Sequence, residues 1–150
     1  MADMYGAICS NSFIVKDVAA FETWFDGYYF GDEVTVSVID KESRELCFAG
    51  YAQYPSAYPR RYNTEADDYE EVEDLKQFAS ELAEYLEEGE VLSVVAGGHE
   101  KLRYVSFDQL IIAASYPDYP IYRIVSSDAD HDSLIALVES HKRESDVSST

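Results

Sequence analysis

A chain of 150 residues, 47% of them apolar, is long enough for one ordinary domain with its own core, and its thirteen Tyr, seven Phe and one Trp exclude a disordered acidic tail. Thirty acids against eleven bases leave a formal charge of −19, far outside the roughly 2–8 units that solubility asks for. Such a charge destabilises a fold by self-repulsion, argues against direct binding to nucleic acid or an anionic membrane, and favours a basic protein partner.

The N-terminal run MADMYGAICS lacks a basic region followed by a long apolar stretch, so it does not read as a signal peptide, and no segment reaches the apolar length of a membrane span. Cytoplasmic placement is the expectation, with Cys9 and Cys47 as reduced core thiols that form no motif. Residues 1–144 read as a single acidic domain and 145–150 as a frayed polar tail.

Taken in order, Tyr5 to Val15 is β-prone and opens a sheet. Asp17 is placed to cap a helix running to about Asp26, with Val18, Phe21, Phe25 and Tyr28 on one face and Trp24 beside them. Glu33 to Ile39 alternates Val34, Val36 and Val38 with Thr35 and Ser37, and Arg44 to Tyr51 returns as its hairpin partner. Ala52 to Asn63 differs in kind. It holds Tyr54, Tyr58, Tyr62, two prolines and the Arg60-Arg61 pair, so it reads as a loop. Tyr and Arg are common at binding hot spots, which makes Tyr54, Tyr58, Arg60 and Tyr62 candidate anchors. In the blander reading the tyrosines lie against the domain and the arginines answer nearby acids.

The stretch from Glu65 to Glu90 dominates the sequence: twelve of its twenty-six residues are acidic and Lys76 is its single base. Val72, Leu75, Ala79, Leu82 and Leu86 have the 3–4 spacing of one helix face, which predicts a helix capped at Thr64, running to about Glu88 and stopped by Gly89. Its opposite face would carry Glu70, Glu73, Asp74, Glu81, Glu84 and Glu88. Like charges on adjacent turns cost about 0.2–0.5 kcal/mol per pair, and an ordinary solvated face avoids them by mixing signs. Uncompensated carboxylate is therefore the sign of function. Their density along such a helix, about one per 3.3 Å, approaches the ~3.4 Å charge spacing of one DNA strand.

Beyond it, Val91 to Ala96 reads as a buried strand, Gly97-Gly98-His99-Glu100 as a hairpin turn, and Lys101 to Ser115 as a returning strand with a bulge at Asp108. Tyr116 to Pro120 is a rigid turn, Ile121 to Val125 a strand, and Asp130 to about Lys142 a helix with Leu134, Leu137 and Val138 inward. The order β-α-β-β-α-β-β-β-α implies an α+β fold. An antiparallel or mixed sheet of about five to six strands carries two to three helices and is ferredoxin-like in part.

Catalytic chemistry is poorly represented, and no enzyme activity or cofactor is expected. His99, His131 and His141 form no zinc spacing with either cysteine. There is no G-x-S-x-G motif, and Gly97-Gly98 lacks the following residues of a phosphate loop. Asp128, Asp130, Asp132 and Glu139 fall at positions 1, 3, 5 and 12 of a calcium loop. Position 6 is Ser133 rather than Gly, however, and the segment before the loop reads as a strand where an EF-hand needs a helix. Helix N-capping explains the same aspartates.

A small, tyrosine-rich, strongly acidic α+β chain resembles the anti-restriction and anti-CRISPR proteins of phages and mobile elements. The likeness rests on size, charge and the 65–90 run, so no residue of those families is carried over. It implies a stoichiometric inhibitor, in a host cytoplasm, that blocks the basic nucleic-acid-binding surface of a defence nuclease or surveillance complex by phosphate-like contacts. An acidic adaptor that binds a basic protein without displacing nucleic acid is the alternative, and a calcium-binding domain a further one.

Overall fold

The computed structural model describes residues 5–30, 33–52, 56–100, 104–123 and 131–148. The larger of two antiparallel sheets is built from β1 (Tyr5–Ser10), β2 (Phe13–Ile14), β4 (Thr35–Asp40), β5 (Glu45–Ala52), β8 (Val91–Glu100), β9 (Tyr104–Ala113) and β10 (Ile121–Arg123). Three short strands, β3 (Tyr28–Tyr29), β6 (Arg60–Asn63) and β7 (Asp68–Glu71), form the second. The helices are α1 (Val18–Phe25), α2 (Leu75–Tyr85) and α3 (His131–Ser148). The fold class is α+β.

Within the large sheet the neighbours run β8-β1-β5-β4, linked as β1-α1-β4-β5-α2-β8. This is the strand order of a ferredoxin-like unit, with β9 and β10 added beyond β8. The period-2 pattern of the strands divides the core. Inward residues Ile8, Leu46, Phe48, Val94, Ala96, Leu110 and Ile112 meet Phe21 of α1 and Phe78, Ala79 and Leu82 of α2. On the outer face, α3 lays Leu134 and Val138 on Val91, Ile111 and Ala113, covering one end only.

Local chemistry sets the element ends. Asp17 caps α1 by accepting from Ala20 N at 3.1 Å. Between β1 and β2 the chain kinks, and Asn11 takes over the strand pairing. Its backbone N–H donates to Ser93 O, its Nδ2 donates to Val91 O, and its Oδ1 accepts from Ser93 N. At Gly50 the backbone of Glu33 and Val34 crosses so closely that an added Cβ would lie 2.0 Å from Glu33 O.

Several expectations are corrected. The run from Thr64 to Glu88 is not one helix. Residues 60–71 form the β6–β7 hairpin and α2 begins at Leu75, capped by Asp74, whose Oδ1 accepts from Lys76 N at 3.0 Å and Gln77 N at 3.2 Å. A helix there would stack like charges on adjacent turns, which disfavours it, whereas the hairpin places Arg60 across from Glu71 and Arg61 across from Glu70 in register and lets Arg61 pair with Glu81. Gly97 to Glu100 is strand rather than turn. The β8–β9 ladder continues through Glu100 paired with Tyr104, and Gly97 is needed because the Phe107 ring sits where its Cβ would be. Asp108 makes no bulge; it pairs in register with Ala96. Cys9 is exposed and Cys47 half-buried, because both point to the open part of the outer face rather than into the core. Helix α3 continues past Lys142 to Ser148.

Candidate functional site

The β6–β7 hairpin is made by its turn. Asn63 Oδ1 accepts from Glu65 N at 2.9 Å and Ala66 N at 3.3 Å, an Asx-turn, and Asp67 takes a left-handed φ of 51° that Asp tolerates. The third strand, β3, pairs Tyr28 with Arg61 and Tyr29 with Arg60. Strand alternation then gives this small sheet two different sides.

One side is fixed to the domain. Arg61 donates to Glu81 Oε1 at 2.9 Å and Oε2 at 2.6 Å, and its guanidinium lies over the Tyr28 ring, 4.9 Å from the centroid. Glu81 Oε1 also accepts from Tyr28 Oη at 3.3 Å and from Trp24 Nε1 at 3.5 Å. Beneath them, Trp24, Tyr28 and Phe78 form a cluster of tilted and edge-to-face aromatic contacts. Here one carboxylate and one aromatic ring together hold an arginine.

The other side is open. Tyr29, Tyr69 and Tyr62 form a row with centroids 5.1 and 5.2 Å apart, and Tyr62 and Tyr69 are 39% and 37% exposed. Arg60 and Glu71 share this side by register. Exposed carboxylates lie next to it in the turn and in the link to α2, at Glu65, Asp67, Glu73 and Asp74, while Asp68 and Glu70 fall by register on the Arg61 side. Tyr62 donates its hydroxyl to Asp67, which raises the Tyr62 pKa; burial and the nearby Tyr69 and Asp68 add to the rise. A cleft of about 400 Å³ lies between the hairpin and the start of α2, lined by Arg61, Tyr62, Glu70, Glu73, Asp74 and Gln77 among others.

The expected acidic face is thus redistributed. Glu70 sits on β7 and accepts from Asn63 Nδ2 at 3.0 Å, Glu73 lies in the link to α2, and Asp74 is occupied as its cap. Glu81 is committed to Arg61. Glu84, on α2, and Glu88, beyond its end, are exposed. Their separation from the hairpin removes the argument from carboxylates spaced along one helix.

Among the candidate anchors, Arg60 and Tyr62 share the open side, whereas Tyr58 is half-buried, donating to Val72 O at 2.8 Å and lying edge-on to Tyr122. Burial and the charges of Glu71 and Asp74 raise its pKa. Tyr54 lies outside the described residues. The blander reading of this segment holds for Tyr58 and Arg61. Tyr29 and Tyr69 were missed. The parity of Arg60/Tyr62 against Tyr69/Glu71 was the available signal, concealed by the helix assignment.

Asp128 and Asp130 lie outside the described residues. Asp132 and Glu139 are on α3, preceded by strand β10, and Glu139 accepts from Tyr116 Oη at 3.4 Å. Among the described residues, no group of three or more His, Cys, Asp or Glu could hold a metal ion. No helix among them is long and apolar enough to cross a membrane. Comparison of the chain with protein-family models, curated proteins and solved structures found no match.

Proposed function

We propose that the protein is a stoichiometric inhibitor whose acidic, tyrosine-faced hairpin captures the basic nucleic-acid-binding surface of a defence nuclease or CRISPR-type surveillance complex. The observation that supports this reading is the open Tyr29–Tyr69–Tyr62 row on a hairpin whose strands, turn and link to α2 are rich in exposed carboxylates. Carboxylates meet guanidinium and ammonium groups as phosphates do, and the rings stack on arginine. The chain already uses this chemistry internally, where Arg61 lies on Tyr28 and is clamped by Glu81. A net charge of −19 would steer the encounter and make it salt-sensitive.

The test uses the triple variant Glu65→Lys, Asp68→Lys and Glu73→Lys. It leaves untouched the Asp74 cap, the Glu81 clamp and the cross-strand partners of Arg60 and Arg61. Capture of a defence complex from host lysate, with and without nuclease treatment, is expected to fall at least about tenfold for the folded variant, as expected when several charge contacts are reversed. Unchanged capture sinks the assignment of the surface. Oligonucleotide competition on the purified complex separates inhibition from an adaptor role, because an inhibitor and nucleic acid exclude one another.

A further inference from the structure

The open side of the β3-β6-β7 sheet has two ends. By register, Tyr29, Arg60 and Glu71 stand abreast at one of them, where Arg60 answers the charge of Glu71. Tyr62 and Tyr69 stand abreast at the other, beside the turn that carries Glu65 and Asp67. There the two rings meet edge to face, 66° apart with centroids at 5.2 Å, and both are more than a third exposed. Asp67 Oδ1 accepts the Tyr62 hydroxyl, so a carboxylate is fixed at the rim of the notch between the rings.

We infer that this notch selects arginine over lysine, and that the element of the partner it holds is an arginine-rich segment. The inference rests on the reading of the hairpin as the partner-facing surface and adds which cation that surface recognises. Charge complementarity fixes the sign: residues 60–74 hold seven acids and two arginines, and Arg61 is already taken by Glu81. The rings fix the kind of cation. An ammonium is a compact, strongly hydrated charge that must shed water to rest on a ring, whereas a guanidinium is planar, weakly hydrated and stacks. The other side of the same sheet carries this combination filled. There the Arg61 guanidinium lies 4.9 Å from the Tyr28 ring centroid, and both oxygens of Glu81 accept from its Nη2, at 2.9 and 2.6 Å. Tyr62, Tyr69 and Asp67 offer the same two kinds of group, and among the described residues no cation lies over either ring. In an extended peptide, residues on one side recur about every 6.6 Å. Two alternate arginines can therefore rest on the row together, one at the notch and one at the contact between Tyr29 and Tyr69, whose centroids are 5.1 Å apart.

Isothermal titration calorimetry of the full chain at low ionic strength tests the inference with two peptides of equal length and charge, one of four Arg-Gly repeats and one of four Lys-Gly repeats. The arginine peptide is expected to bind at least about fivefold more tightly. In the double variant Tyr62→Leu and Tyr69→Leu the two affinities should come within about twofold of each other, through loss of arginine-peptide binding alone. The double variant Tyr62→Phe and Tyr69→Phe keeps the rings and should keep the preference; far-UV circular dichroism checks the fold of both. Equal binding by the wild type overturns the inference. So does a preference that survives the leucine pair, and so does one lost in the folded phenylalanine pair. The outcome is separable from that of the proposed function. Peptides bound alike, with capture of the defence complex still sensitive to charge reversal, remove the arginine preference and leave the inhibitor standing. A clear arginine preference without capture of any defence complex does the reverse.

Discussion

At the level of single residues, two carboxylates act as fasteners rather than as bait. Glu81 accepts from Arg61, Tyr28 and Trp24, and so ties the hairpin to both helices of the inner face. Its side chain is 33% exposed and that of Arg61 45%, so solvent screens the pair. Glu81→Ala is expected to cost about 1 kcal/mol, read as a lowered denaturation midpoint together with a change in the near-UV signal of Trp24. Asp108 is the second fastener: its Oδ2 accepts from Ala57 N at 2.8 Å and from the Tyr122 hydroxyl. Burial first, and then this hydrogen bond, push the Tyr122 pKa from 10.0 up to about 12. A proton held more tightly in the folded state stabilises it fully below pH 10, and that contribution is lost as the pH rises through 12. Stability should therefore fall across this window, and Tyr122→Phe should flatten the fall. A variant whose alkaline unfolding curve parallels that of the wild type would show that Tyr122 is not the group responsible.

At the level of elements, close approach and turn chemistry decide what periodicity leaves open. The β4–β5 hairpin depends on Gly50, because the backbone at Glu33 and Val34 occupies the space of any side chain there. Gly50→Ala is expected to destabilise by about 3 kcal/mol, the upper range for overpacking, measured by chemical denaturation. The hairpin itself was legible from the alternation of Val34, Val36 and Val38, as were α1 from Asp17 and the aromatic spacing, α3 from Leu134 and Val138, and the ferredoxin-like strand order in part. Two kinds of information were not local. Asn11 replaces a stretch of strand pairing through partners some eighty positions away, which no window around it reveals. The acidic run misled because Val72, Leu75, Ala79, Leu82 and Leu86 do share a helix spacing, yet Val72 is outside α2 and Leu86 is its extended C-cap. The compensating charges, Arg60 and Arg61, come from the preceding segment and become neighbours only once the chain turns at Asn63. The acids of the site were thus legible, and their arrangement beside a tyrosine row was not.

At the level of the whole molecule, one physical quantity acts with opposite signs on the properties inferred above. A charge of −19 opposes both compaction and self-association, yet it draws the chain toward a basic partner. Screening weakens all three effects beyond about 10 Å at 0.1 M salt. Raising sodium chloride from low to about 0.5 M should therefore stabilise the fold by about 1–2 kcal/mol, a rise of roughly 3–8 °C in the thermal midpoint, because many distant like charges outweigh surface pairs such as Arg44–Glu87. The same change should weaken partner capture. Differential scanning calorimetry across a salt series checks the first sign. A midpoint that falls with salt would mean that local ion pairs, rather than net repulsion, dominate the charge energetics. With the expected signs, low salt favours engagement with a basic target at some cost in stability, and high salt favours the unengaged, more stable chain.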